Sequence, residues 1–225
     1  LIKKFHVNEK KSVVANEALI ESIVERIGEE RTSKQDKVEL IDMLLSHYNE
    51  KGQSIEFNRL FVKHSTGLKN SPLHLFFWNY INHAVNQNHE QSISAARSHF
   101  KEAKINGNND DLSTSYRIMA KAFMNLNAKD SSLFYANLSL NYARRSDSEN
   151  AVLKTFKIQS EIFNHFGMIG QSTSVLIKFI DEAEKIRDEK SSCWGTIQIA
   201  HKSFQIRYYN EAKTYLRKAL SLAEK

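Results

Sequence analysis

The side chains of this sequence that could do chemistry are numerous but poorly spaced for catalysis. Nine histidines are present, and none lies three or four positions from another, the separation that would set two imidazoles on one helical face as a metal pair. Each is expected to face solvent or to be held by a hydrogen bond. Asp110 and Asp111 are adjacent carboxylates, but the alternating ligand spacing of a calcium loop is missing around them. They are expected to cap a helix beginning at Leu112. Asn137-Leu138-Ser139 is formally a glycosylation sequon inside an expected helix. Cys193 is the only cysteine, which excludes an internal disulfide and a cysteine-based metal cage and points to a reducing compartment. Glycine-rich phosphate loops, the nucleophile elbow and the helical zinc pair are absent. The expectation is a non-enzyme with no cofactor and no metal.

Charge bears on partners. The net charge of +6 and a pI near 9.2 raise nucleic acid as a ligand. The basic residues, however, alternate with acidic ones, as along Glu182, Glu184, Lys185, Arg187, Asp188, Glu189 and Lys190, and describe solvated helix faces. No run approaches the ~18 to 20 apolar residues of a membrane span; with the single cysteine pointing to a reducing compartment, a cytoplasmic location is expected. The chain opens at Leu1 and not at Met, and reads as a segment of a longer protein to which a leader, an anchor or a further domain could belong.

The elements that would position any site are helical. One Pro and seven Gly in 225 residues leave too little punctuation for a sandwich or barrel, while 41% hydrophobic residues supply a core. Leu19, Ile20, Ile23, Val24 and Ile27 share a helical stripe, with Gly28 placed as a left-handed C-cap. A second helix is expected from a capping box at Thr32-Ser33-Lys34-Gln35 to Gly52, and a third over Ile55 to Val62. These helices form a lead-in segment over residues 1–70.

From there a phrase, apolar-x-x-Ala, recurs every 40 residues at Phe100–Ala103, Leu140–Ala143, Ile180–Ala183 and Leu220–Ala223. Small residues stand eight positions earlier at Ser92, Ser132, Ser172 and Ala212, and others four earlier at Ala96, Ala136, Leu176 and Leu216. A fixed period of this length marks a solenoid of stacked helix hairpins. Ser71-Pro72 supplies the first start signal. The expected pairs are Leu73–Val85 with Gln91–Ala103, Leu112–Leu126 with Ser131–Arg144, Asn150–Phe166 with Ser172–Arg187, and Cys193–Ile206 with Asn210–Glu224. Of the aromatics Phe76, Phe77, Trp78 and Tyr80, three are expected in the core and one outside as an anchor.

The last copy, Tyr209-Asn-Glu-Ala212 through Leu216, Ala219 and Ala223, resembles a tetratricopeptide repeat, with Ala212, Leu216 and Ala219 at the small, large and small packing positions of its second helix. Ser132 and Ser172 depart from the family's Ala, Gly167 alone matches its inter-helix Gly, and the inter-repeat Pro is missing. The period exceeds the ~34 residues usual in that family. The resemblance implies an all-α solenoid, a right-handed superhelix of four hairpins over residues 71–225, of the long-period kind met in bacterial signalling and regulatory proteins. It implies a binding scaffold in a regulatory or signal-transduction protein, with a peptide-sensing transcriptional or two-component regulator domain as one alternative and a helical-repeat RNA binder as another.

It also implies a groove lined by the first helices of the hairpins. The groove-facing places are then Arg117, Lys121, Met124 and Asn125 in one copy and Lys154, Lys157, Asn164 and His165 in the next. Such cations and amides suit a protein or peptide with acidic groups. In the fourth copy strict 40-residue translation places Trp194 and Phe204 in the groove, whereas the stripe Trp194, Ile197, Ala200 and Phe204 argues for core. A one-residue slip reconciles the two, so Ile197 and Phe204 are expected in the core and Trp194 stays a groove candidate. No polar cap follows the last helix, so self-association through the C-terminal hairpin is expected unless more chain covers it.

Overall fold

A computed structural model describes residues 13–69 and 71–224, with side chains from residue 19 onward. The first twelve residues of the expected lead-in segment lie outside the described residues. The chain divides into two compact units, Leu1–Ala95 and Ala96–Lys225. Among the described residues the secondary structure is helical throughout.

The first unit contains α1 (Val13–Gly28), α2 (Lys34–Glu50), α3 (Ser54–His64), a short 3-10 turn (Ser65–Leu68), α4 (Pro72–Val85) and the start of α5 (His89–Asn106). Its core is built from large side chains: Ile23, Leu40, Ile41, Leu44, Leu45, Phe57, Phe61 and Trp78. Trp78 lies 5.9 Å from the Phe57 ring, and its indole N–H donates to Asp42 Oδ1 at 2.8 Å. Phe76 and Phe77 are half-buried, so none of the four neighbouring aromatics stands outside as an anchor. Two end signals shift. Ser33 is the N-cap of α2, its hydroxyl accepting from the Asp36 amide at 3.1 Å, because Thr32 is engaged with the Arg26 carbonyl closing the previous helix. Gly28 is the last residue of α1 and is not among the residues with positive φ.

The second unit continues α5 and adds α6 (Asn109–Asn125), α7 (Lys129–Ala143), α8 (Glu149–His165), α9 (Ile169–Lys185), α10 (Glu189–Gln205) and α11 (Tyr209–Ala223). Helix α6 starts three residues before the expected Leu112, because Asn108 is the N-cap and accepts from the Asp110 amide at 2.8 Å. Asp110 and Asp111 occupy the first turn instead, where a carboxylate favours the helix dipole.

The sequence period is reproduced as a period in hydrogen bonding. The turn inside each hairpin closes with one N–H reaching back five residues: Ala128 to the Phe123 carbonyl at 2.9 Å, Met168 to Phe163 at 2.8 Å and Tyr208 to Ser203 at 2.8 Å. The residue before each of these is left-handed, with φ of 56° at Asn127, 70° at Gly167 and 66° at Arg207. This is the Schellman geometry that glycine usually serves. Only one of the three is glycine, so tertiary packing imposes the turn on the other two.

Small residues govern how the two helices of a hairpin meet. Ser132 donates to the Ala120 carbonyl at 2.8 Å, and Ser172 donates to the Ser160 carbonyl at the same distance. The Ser160 and Ser172 hydroxyls also sit 2.9 Å apart. In the last hairpin the corresponding residues are Ala200 and Ala212, both buried. At Ser132 and Ser172 serine thus stands in for alanine, its hydroxyl finding a carbonyl across the contact.

Between one hairpin and the next, volume is exchanged across a fixed contact. His99 meets Ser115 at 2.6 Å and Ser139 meets Thr155 at 3.0 Å. At the third such contact Phe179 faces Gly195, where an added Cβ would fall 2.9 Å from the ring and 2.8 Å from Ile180. The repeated Ala103, Ala143 and Ala183 are buried, whereas Ala223 is exposed.

The fourth copy corrects the sequence reading. Thr196, Ile199, Ala200 and Ser203 are buried, while Ile197 and Phe204 are exposed at 42% and 61%. Strict translation by one repeat holds and no slip occurs. Gly195 on the buried face lets α10 settle against Phe179, leaving Ile197 and Phe204 turned outward and Trp194 half-buried, its ring 5.1 Å from that of Phe179.

Candidate functional site

Helices α6, α8 and α10, the first of each hairpin in the second unit, share a face tied together by side chains one repeat apart. Backbone contact joins α6 directly to α8. Lys121 Nζ reaches Glu161 at 3.1 Å. His165 Nε2 pairs with Asn127 Oδ1 at 2.7 Å. From α10, Lys202 Nζ donates to Asn164 Oδ1 at 2.8 Å, and Lys157 of α8 lies 4.9 Å over the Trp194 ring. The groove candidates Lys121, Lys157, Asn164, His165 and Trp194 are therefore brought onto one continuous face.

The remaining candidates divide. Arg117 is drawn in: its Nη2 donates to Thr114 Oγ1 at 3.1 Å, and desolvation pushes its pKa down to about 10 against the opposing pull of Asp110. It stays charged at neutral pH, but as a packed side chain. Met124 joins the apolar contacts around Ala120, Ala136 and Ile162. Asn125 is half-buried at the end of α6, and Lys154 is exposed.

The electrostatics differ from a row of open cations. Lys121 is neutralised by Glu161, and Lys157 rests on an aromatic face, an arrangement of cation and ring quadrupole that favours both. Lys202 occupies a buried position where the other copies have Ala122 and Ile162. Burial lowers its pKa, and its stem runs along the helix contact to deliver the ammonium to Asn164.

Sequence reasoning missed what makes this face chemically distinctive. Ile197 and Phe204 are large apolar side chains left exposed beside the half-buried Trp194. The strict repeat register, which places Phe204 level with Met124 and Asn164, was the signal for Phe204, outweighed in the sequence by the helical apolar stripe. The face thus combines an aromatic and aliphatic strip on α10 with polar, partly neutralised side chains on α6 and α8. Among the described residues no three His, Cys, Asp or Glu side chains gather as a metal site, and no helix is long and apolar enough to cross a membrane.

No protein-family profile matches the chain, and no curated protein sequence does. Solved structures do match its fold. A signal-transduction ATPase with a tetratricopeptide repeat sensor from Pyrococcus horikoshii superposes with a TM-score of 0.68 at 13% identity, covering 99% of this chain and 33% of that one. BtubC (BKLC) from P. vanneervenii gives 0.60 at 13% identity, over 99% and 91% of the two chains. A Rap protein complexed with competence and sporulation factor gives 0.61 at 11% identity, over 99% and 64%. With these superpositions and the repeated small-residue contacts between its helices, the chain has the tetratricopeptide-like helical-repeat fold.

Proposed function

We propose that the face formed by α6, α8 and α10 docks a polypeptide, and that the chain is a non-enzymatic binding module of a regulatory or signal-transduction protein. The observation that carries this is the exposure of Phe204 and Ile197, at 61% and 42%, next to Trp194 on one helix face. An exposed aromatic and aliphatic strip rimmed by polar groups is the composition of an interface anchor. Lys154 and Lys157 add a basic rim that suits acidic groups on the partner. The likeness to a Rap protein solved with competence and sporulation factor, and to a repeat sensor in a signal-transduction ATPase, supports a sensing role.

The test uses peptides selected from a random display library on this chain, with affinities read by anisotropy of the labelled peptide. Phe204→Ser and the double variant Lys154→Glu with Lys157→Glu should each weaken binding by about tenfold or more. Their melting temperatures should stay close to that of the parent, since exposed substitutions usually move stability by less than ~0.5 kcal/mol. Peptides that bind both variants as tightly as the parent would remove this face from the reading. A peptide sensor should also become more compact in solution scattering when its peptide binds, whereas a rigid scaffold should not. Binding of single-stranded RNA in place of peptide, falling steeply between low and moderate salt, would favour the nucleic-acid alternative.

A second reading concerns the last hairpin. Leu216 and Leu220 are exposed at 53% and 61%, whereas Leu176 and Ile180, one repeat earlier, are covered by the next hairpin. We propose that this surface is covered by a second copy of the chain at high concentration. Sedimentation of Leu220→Lys against the parent tests it, since a parent that stays monomeric excludes the contact.

A further inference from the structure

The second helices of the hairpins, α7, α9 and α11, flank the first helices on the side opposite the proposed peptide face, and each neighbouring pair of second helices bounds a cleft. Three equivalent clefts occur in the second unit, and the chain treats them differently.

Between α5 and α7 the space is filled by aromatic rings. Phe100 lies 5.1 Å from Tyr116, Tyr116 stacks 6.3 Å from Tyr135, and Phe123 stacks 5.3 Å from Tyr135. Between α9 and α11 the cleft is bridged, Lys218 Nζ reaching Glu184 Oε1 at 3.4 Å beside the half-buried Tyr215. The middle cleft, between α7 and α9 over α8, is open, with a volume of about 330 Å³.

Three substitutions at repeat-equivalent positions account for the opening. Val175 stands where the flanking copies carry Tyr135 and Tyr215, so an aromatic ring is missing. Gln159 stands where they carry Met119 and Ile199. It is only 6% exposed, and its amide donates to Asn137 Oδ1 at 3.1 Å, a polar group set where both neighbours have core. Arg144 and Lys178 stand where the last copy carries Glu184 and Lys218, so two exposed cations replace an ion pair, and among the described residues no ion pair joins either to a carboxylate.

We propose that the middle cleft is a binding site for an aromatic carboxylate. The ligand supplies the ring that Tyr135 and Tyr215 supply in the clefts on either side, resting on Phe156 and Phe163, and an anion for Arg144 and Lys178, the charge that Glu184 gives Lys218 in the last copy. The Gln159–Asn137 amide pair reads an amide or hydroxyl on the same ligand. The volume lies at the small end of the range for ligand sites, enough for one such group and too little for a large cofactor. Two sources share this chemistry: a free aromatic acid, and the C-terminal residue of a polypeptide.

The probe is N-acetyl-L-tyrosine, titrated into the isotopically labelled chain while the side-chain amide signals of Gln159 and Asn137 are followed by NMR. The acid should shift both signals, and N-acetyl-L-tyrosinamide, lacking the charge, should bind about tenfold more weakly or less. Val175→Tyr restores the ring of the neighbouring copies and should abolish the shifts with the melting temperature kept. Arg144→Glu recreates the bridge to Lys178 and should do the same from the surface, so that a folding failure of the first variant leaves the question answerable. A peptide ending in tyrosine with a free carboxylate, compared with the same peptide amidated, separates the sources: discrimination at least equal to that of the free acid assigns the site to a polypeptide terminus, and no peptide binding assigns it to the free acid. Equal affinity for acid and amide, shifts that survive in Arg144→Glu, or no shift in the parent at all would overturn the proposal. The site lies on other helix faces than Trp194 and Phe204, so Phe204→Ser should leave it unchanged, and the two readings fail independently.

Discussion

The two units of this chain bring their helices together differently. The first fills its core with long side chains, among them Leu40, Ile41, Leu44, Leu45, Phe57 and Trp78, all almost wholly buried. The second also buries large side chains, among them Leu153, Phe156, Leu176, Phe179, Ile180 and Ile199. Where its helices cross, however, it sets Ser132, Ala136, Ala143, Ser160, Ser172, Ala183 and Gly195, residues that contribute little apolar area but allow close approach. Both units rest on the hydrophobic effect, which tolerates rearrangement; in the second it is joined by close fit and by hydrogen bonds across the helix contacts, which do not.

The largest effect should come from the first unit. Trp78→Ala removes the ring against Phe57 and strands Asp42 without its indole donor; a loss of about 3 to 5 kcal/mol is expected. Equilibrium unfolding of the variant checks it. A loss below 1 kcal/mol would mean that the unit does not depend on large-residue packing, and the contrast would collapse from that side.

The second unit should respond to added volume where the first responds to its removal. Gly195→Ala places a methyl group 2.8 Å from Ile180 and 2.9 Å from Phe179, both nearly fully buried. Alanine is the better helix former by about 1 kcal/mol, yet overpacking should win and destabilise the chain by roughly 1 to 3 kcal/mol. Combining it with Phe179→Leu should recover part of that loss, and a purely additive double variant would show that the two residues do not exchange volume.

These contrasts also explain which parts of the structure were legible in the sequence. The period, the hairpin positions and most helix ends follow from residues fixed by close contact, above all Ala183 and the serines at the helix crossings. The helix starts at Ser33 and Asn108 were displaced because several short polar residues compete for one cap, and only the backbone decides among them. Ile197 and Phe204 were misplaced because a helical apolar stripe marks a face without saying whether that face meets protein or water. The deciding residue was Gly195, whose missing Cβ lets α10 turn its small side inward. The contrast between the three clefts was written in the sequence as Tyr135, Val175 and Tyr215, but it acquires meaning only once α7, α9 and α11 are known to flank equivalent spaces.

Paired hydroxyls offer a subtler test. Ser172→Ala leaves the buried Ser160 hydroxyl without the partner it has at 2.9 Å, and should cost about 1 to 2 kcal/mol as an unsatisfied group. The double variant Ser160→Ala with Ser172→Ala reproduces the Ala200 and Ala212 of the last hairpin and should return close to the parent, because replacing both partners of a buried hydrogen bond is nearly neutral. Thermal unfolding of the three variants against the parent forms the cycle. If the double variant is worse than either single one, the alanine pair is not an equivalent solution and the repeat contacts are less interchangeable than their spacing suggests.

The smallest expected effect concerns the hairpin turns, where the second unit carries backbone strain. Arg207 adopts φ of 66° at the turn where Gly167 adopts 70° one repeat earlier. A residue with a Cβ is disfavoured there by roughly 1 to 2 kcal/mol. Glycine loses more chain entropy on folding, which offsets about 0.4 to 1 kcal/mol of that advantage. Arg207→Gly should therefore stabilise the chain by up to about 1.6 kcal/mol, and Gly167→Arg should destabilise it by a similar amount. The carbonyl that receives the turn's hydrogen bond, Ser203 in one case and Phe163 in the other, is supplied by the preceding helix in both, so neither change removes a bond and the difference isolates the left-handed backbone. If both variants shift the melting temperature in the same direction, the two turns are not equivalent despite their matching geometry, and the hydrogen-bond period would reflect local sequence and not a repeated packing constraint.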